Sequence, residues 1–157
     1  MAIHPVEYDE RLRVPLRWWV QGTMLVASLW LAVVVALPEV AALGIGLGGA
    51  ALMAGLLTAW GSPRVQVRDG VFRAGRAAIE GHHLGAATPL DADATRRTAG
   101  VEADARAYLV LRPYLKRAVR VEISDPADPT PYWLVSTRHP DRLAAALAAL
   151  APTGSRD

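Results

Sequence analysis

The sequence predicts an α+β membrane protein: an amino-terminal two-helix transmembrane hairpin, then a small antiparallel β domain closed by a carboxy-terminal helix. Three observations carry this. Residues 18–37 and 40–60 are uncharged stretches of bilayer-spanning length, separated only by Pro38 and Glu39. Between residues 64 and 137, short alternating runs of apolar and polar residues are bounded by Gly, Asp and Pro. After Pro140, Leu143, Leu147 and Leu150 recur at helical spacing.

Composition narrows the function classes. A chain of 157 residues holds one modest domain beside such a hairpin. Without Cys there is no disulfide stapling, thiolate catalysis or Cys-ligated metal. Seventeen basic residues face fifteen acidic ones, too even a balance for a nucleic-acid surface, and aromatic interleaving is sparse. No Ser sits in a Gly-x-Ser-x-Gly elbow, and no Gly-rich loop ends in Lys-Ser or Lys-Thr. The expectation is a non-enzymatic protein without cofactor or metal, whose partners are the lipid bilayer and a membrane protein or a second copy.

Residues 1–15 mix both charge signs with Pro5 and Pro15 and read as an irregular cytoplasmic arm. The first helix, about 16–37, follows Arg11, Arg13 and Arg17 as a secretion signal would. Its apolar run is too long for a signal core, and a second span follows at once, so an integral hairpin is the better account. At roughly 1.5 Å per residue each helix reaches about 30 Å. Trp18 and Trp19 open the first span and Trp60 closes the second, which puts three indoles at one interface as anchors. Pro38 suits the first position of the second helix, about 39–60, and Glu39 its first turn.

The turn carries no Lys or Arg, whereas the flanks carry Arg11, Arg13 and Arg17 before and Arg64, Arg68, Arg73 and Arg76 after. The positive-inside rule then puts both termini in the cytoplasm of a multi-pass inner-membrane protein. Gly44, Gly48, Ala51 and Gly55 form a small-residue stripe for helix packing, on the first helix or on a membrane partner. The polar span residues Gln21, Thr23, Ser28 and Thr58 do not ionise, which argues against a proton or ion path.

The domain spans 62–151, with a tail at 152–157. Residues 64–68 alternate, Asp69-Gly70 is a hairpin turn, and 71–74 return. One or two strands follow around Ile79 and Leu84. Residues 91–98 read as a short helix or turn, capped by Asp91 or Asp93 and ended by Gly100. Residues 108–111 and 119–123 read as two antiparallel strands, with Val119, Val121 and Ile123 inward and Arg120 and Glu122 outward. The three prolines in 125–131 make a stiff loop, 132–137 is another strand, and a helix runs over 140–150.

Short antiparallel strands closed by one amphipathic helix, directly after two spans, resemble the bacterial pleckstrin-homology-like domains of small membrane proteins. The closing segment Tyr132-Trp133-Leu134-Val135-Ser136-Thr137-Arg138-His139-Pro140 also resembles an uncharacterised family of actinobacterial two-span proteins (domain of unknown function 3093). That resemblance implies membrane location and a barrel-like fold, and it brings no catalytic residues.

His82 and His83 are the most tempting metal feature, but neighbours in a strand point to opposite faces. Asp91 with Asp93, and Asp125 with Asp128, fit capping and turns better than Mg²⁺. Arg112, Lys116, Arg117 and Arg120 cluster round one connection and are the candidate lipid-binding residues, able to attract an anionic leaflet at about 1 kcal/mol each. A solvated face and topology signals are the plainer account of the same cations.

Overall fold

In the computed structural model, which describes residues 7–61 and 63–151, the two uncharged stretches form α1 (Leu16–Ala36) and α2 (Glu39–Trp60). Both are long and apolar enough to cross a membrane. Pro38 sits one position earlier than the sequence suggested, as the N-cap of α2 with an extended backbone, because the chain reverses there. Trp30 Nε1 donates to the Ala42 carbonyl at 3.0 Å. A Cβ on Gly46 would stand 2.6 Å from Trp30 Cδ1, and one on Gly22 2.5 Å from Met53 Sδ, so these glycines let the helices meet. Thr23, Ser28 and Thr58 each donate to the carbonyl four residues back at 2.8 Å, which satisfies every hydroxyl inside its own helix.

The β domain contains residues on both sides of this hairpin. Part of the arm expected to be irregular is strand β1 (Tyr8–Arg11), antiparallel to β2 (Arg64–Arg68), with Tyr8 opposite Val67 and Arg11 opposite Arg64. Tyr8, Glu10 and Leu12 alternate inward, a period disguised by a carboxylate on the buried side. The backbone N–H of Leu12 donates to the Pro63 carbonyl at 3.2 Å. Residues 12 and 63 are thus neighbours within the β domain.

The first sheet continues with β3 (Val71–Ala74) and β4 (Ala77–Glu80) in the order β1-β2-β3-β4. The β2–β3 turn holds Asp69 and Gly70 at φ 52° and 78°, the two left-handed residues of a type I′ turn. A 3₁₀ turn at Gly81–His83 leads to the second sheet, made of β5 (Leu84–Leu90), β6 (Tyr108–Val110), β7 (Ala118–Ile123) and β8 (Tyr132–Ser136). Its order is β5-β7-β8-β6. Pro89 lies on the edge strand, where its missing N–H does least harm.

The expected antiparallel pairing of 108–111 with 119–123 is not formed. Strand β8 lies between them, antiparallel to β7 and parallel to β6. All five residues of β8 are buried, so this strand is covered on both faces and takes a central position. A Pro-containing connection after β6 does not make a tight hairpin and leaves room for it.

Inward residues of both sheets share one core, in which Trp133 packs on Phe72 and Tyr108 at ring separations of 5.6 and 5.0 Å. Helix α4 (Pro140–Leu150) closes it with Leu143, Ala144, Ala146 and Leu147. A Cβ on Gly81 would stand 2.7 Å from the Leu150 carbonyl, so only Gly lets the end of α4 lie on the 3₁₀ turn. On the outer face of the second sheet, Ala118, Tyr132 and Leu134 form a smaller core joined by Ala99 of helix α3 (Ala92–Ala99).

Candidate functional site

A pocket of about 360 Å³ opens between α3 and the β6–β7 connection. Its α3 side is positioned by Asp91, which caps the helix by accepting from Ala94 N at 2.8 Å. One face of this short helix turns Thr95 and Thr98 inward, whereas Arg96 is exposed and pairs with Asp93 at 3.6 Å. The opposite wall is pinned at two points. Arg112 N donates to Ser136 Oγ at 3.1 Å, and the buried Tyr114 hydroxyl donates to the Leu12 carbonyl at 2.9 Å. Burial pushes the Tyr114 hydroxyl pKa up, against the opposing influence of Arg112 and Arg138.

Arg96, Arg112 and Lys116 line this pocket, with Leu111 and Leu115 as apolar wall. Arg112 folds back so that Nη1 donates to the carbonyl of its own neighbour Leu111 at 2.9 Å. Thr95 is only 7% exposed and its hydroxyl has no hydrogen-bond partner among the described residues; nor has the buried Nε of Arg112.

The four cations grouped by sequence are therefore divided. Arg112 and Lys116 reach the pocket. Arg117 instead donates through Nη2 to the Arg138 carbonyl at 3.0 Å, and the Arg120 guanidinium lies 4.4 Å over the Tyr132 ring. Arg120 faces away from the main core as expected, but it is half-buried rather than fully outward. Arg68 and Arg73 line a smaller pocket of about 280 Å³ on the first sheet, where Arg68 pairs with Glu7 and Asp69.

Sequence reasoning missed a second polar cluster. Glu10 is buried and its Oε2 accepts from Tyr8 Oη and Thr137 Oγ1 at 2.5 Å each, while Oε1 accepts from Arg138 N at 3.0 Å. Arg138 Nη1 adds an ion pair at 3.5 Å and donates to the Arg11 carbonyl. Burial, then the bond to Glu10, raises the Tyr8 hydroxyl well above its ordinary range. The only sequence signal was an inward-phase charge in a short alternating run.

His82 and His83 lie in the 3₁₀ turn, not a strand, and their rings are 3.9 Å apart because the turn does not splay neighbours as a pleat does. His82 Nδ1 sits 3.2 Å from Glu80 Oε2. Among the described residues no group of three or more His, Asp or Glu could hold a metal ion. Asp125 and Asp128 accept from Ala127 N and Thr130 N, each at 2.9 Å, and these turn bonds to Thr130 lower the Asp128 carboxyl pKa.

In the hairpin, Gly44, Gly48 and Gly55 have open space where a Cβ would stand. Their stripe, with Ala51, lies close to half a turn from Ala42, Gly46, Gly49 and Met53 at 3.6 residues per turn. Packing of that stripe on α1 is thus not what forms; the opposite face meets α1, where Trp30 fills the gap above Gly46. Trp18 and Trp19 are half-buried at the start of α1, and the side chain of Trp60 lies outside the described residues.

A family model described as "Protein of unknown function (DUF3093)" matches residues 7–147. No curated protein and no solved structure matches the chain.

Proposed function

The chain belongs to the DUF3093 family of proteins of unknown function, and from that premise we propose a non-catalytic integral membrane protein that presents a pleckstrin-homology-like binding module at the cytoplasmic face. One observation carries this reading: β1 and β2, which flank the two apolar helices in sequence, pair with each other. Strands in one ladder occupy the same side of a bilayer, so the chain between them must cross an even number of times, and two spanning helices supply that number.

Orientation follows from charge. The 37–39 turn has no cation, whereas Arg11, Arg13, Arg17 and Arg64 lie within a few residues of the helix ends. Two four-stranded sheets with a closing helix support the pleckstrin-homology-like comparison, from which the parallel β6–β8 pair departs. With no nucleophile elbow and no phosphate loop in the sequence, binding rather than chemistry is the reading we adopt.

The absence of Cys makes the test direct, because any single introduced Cys is the sole labelling site. Leu37→Cys should react with an impermeant maleimide on intact cells, and Asp9→Cys and Ser124→Cys only after permeabilisation. Opposite behaviour of Asp9→Cys and Ser124→Cys, or release of the protein by alkaline carbonate without detergent, refutes the topology.

A further inference from the structure

We infer that the pocket between α3 and the β6–β7 connection is an oxyanion site, built for a phosphate group with an apolar neighbour. It deepens the binding-module reading, though the chemistry is independent of the membrane topology.

The case rests on unused donors. The Thr95 hydroxyl and Arg112 Nε are buried in residues that line the pocket, and neither has a partner among the described residues. A native fold rarely leaves such groups unsatisfied, and each stranded donor is unfavourable. Both lie just behind the pocket wall with almost no surface of their own, so a ligand oxygen meets them only once the side chains in front turn aside. Around them stand Lys116 and Arg96, and the guanidinium of Arg112 itself, so the space carries several positive charges. Among the described residues Arg96 pairs with Asp93 in an exposed contact, while Arg112 donates through Nη1 to the Leu111 carbonyl and also hydrogen-bonds the Tyr114 side chain. Arg96 can be redirected to a ligand at little loss, since exposed ion pairs are weak.

Arg offers a planar fork and Lys a point charge, the pair of donors that suits a tetrahedral phosphate. Leu111 and Leu115 beside the cations favour a phosphate attached to an apolar body over a free, fully hydrated ion. About 360 Å³ accommodates a head group and the first carbons of its chain, but not a nucleotide with room to spare. The Arg120 and Arg117 side chains, held by Tyr132 and the Arg138 carbonyl, take no part.

The experiment uses the full chain in nanodiscs of zwitterionic phosphatidylcholine. Thermal unfolding is followed while inorganic phosphate or soluble dihexanoyl phosphatidic acid is added, against chloride at matched ionic strength. We expect a saturable rise in the unfolding temperature that chloride does not reproduce. Response to phosphatidic acid alone identifies a lipid head group as the source, and equal response to inorganic phosphate identifies a free anion.

Arg112→Gln and Lys116→Gln should each weaken binding about tenfold or more, while Arg73→Gln, of equal charge change on the other sheet, should not. Thr95→Val separates ligand loss from misfolding. It removes the stranded hydroxyl while keeping the shape, so the ligand-free protein should unfold at the same or a higher temperature and yet lose affinity. The inference is overturned if neither probe shifts unfolding, or if the shift survives in Thr95→Val and Arg112→Gln, or if Arg73→Gln abolishes it equally. Membrane retention of the same variants, measured by carbonate extraction, reports on the topology separately.

Discussion

Glu10→Ala is expected to release the first strand. The carboxylate accepts three hydrogen bonds, two at 2.5 Å and one at 3.0 Å, in a site that is 8% exposed. Hydrogen bonds to a charged group contribute about 1.5–3 kcal/mol each, but the donors here overlap in what they satisfy. Removing one member of a buried charge network costs about 3–5 kcal/mol in all, because the remaining groups are left unpaired. Against a total stability of about 5–15 kcal/mol for a domain, that loss is large yet short of unfolding. Hydrogen exchange by mass spectrometry should therefore show peptides covering 7–12 and 63–68 exchanging about a hundredfold faster or more, with the second sheet little changed. Glu10→Gln keeps one acceptor but turns an NH₂ toward a donor, and an intermediate effect of about 1–3 kcal/mol is expected. Unchanged exchange in 7–12 with Glu10→Ala, or a loss below about 1 kcal/mol, refutes the assignment of this cluster as the lock on β1.

Three further outcomes follow. Gly46→Ala should displace Trp30 and break its bond to the Ala42 carbonyl, visible as a red shift or loss of Trp30 emission in a variant with the other Trp replaced by Phe, whereas Gly44→Ala should leave the hairpin unchanged. Trp133→Ala removes the ring that joins both sheets and should lower stability by about 3–5 kcal/mol in denaturant titration. The raised Tyr8 and Tyr114 hydroxyls keep their protons in the folded domain while the unfolded chain ionises near pH 10. Their contribution is thus fully present below about pH 10 and lost as pH rises further, so phenolate absorbance from these two should appear only together with alkaline unfolding.

The helices, the β2–β3 hairpin, the α3 cap and the α4 stripe were legible because each depends on local rules: uninterrupted hydropathy, an Asp-Gly turn, an Asp side chain, a leucine spacing. What was hidden depends on partners far along the chain. The inward phase of β1 was masked by Glu10, whose burial is tolerable only because Thr137 and Arg138 supply donors from the other end of the sequence. Strand β8 carried a readable hint, since Tyr132 to Val135 are apolar without alternation, the sign of burial on both faces. Its parallel pairing with β6 was not readable, as nothing in 108–110 distinguishes β8 from β7 as neighbour. The basic cluster was legible as a count and not as a site, because cation–π stacking took Arg120 and a backbone carbonyl took Arg117.

The Glu10 lock and the hairpin explain each other. Antiparallel neighbours such as β1 and β2 are ordinarily joined by a short turn, but here residues 13–62 stand between them. Treated as a flexible chain, lengthening a two-residue loop to about fifty adds about 3 kcal/mol of closure entropy. The Glu10 network contributes a free energy of the same size at the strand that bears this penalty. Replacing residues 13–62 by Asn-Gly restores a local turn, and in that protein β1 should stay protected from exchange when Glu10 is changed to Ala. If β1 opens as readily in the short-turn protein as in the full chain, the network serves the core of the domain in general, and not the closure of an interrupted hairpin.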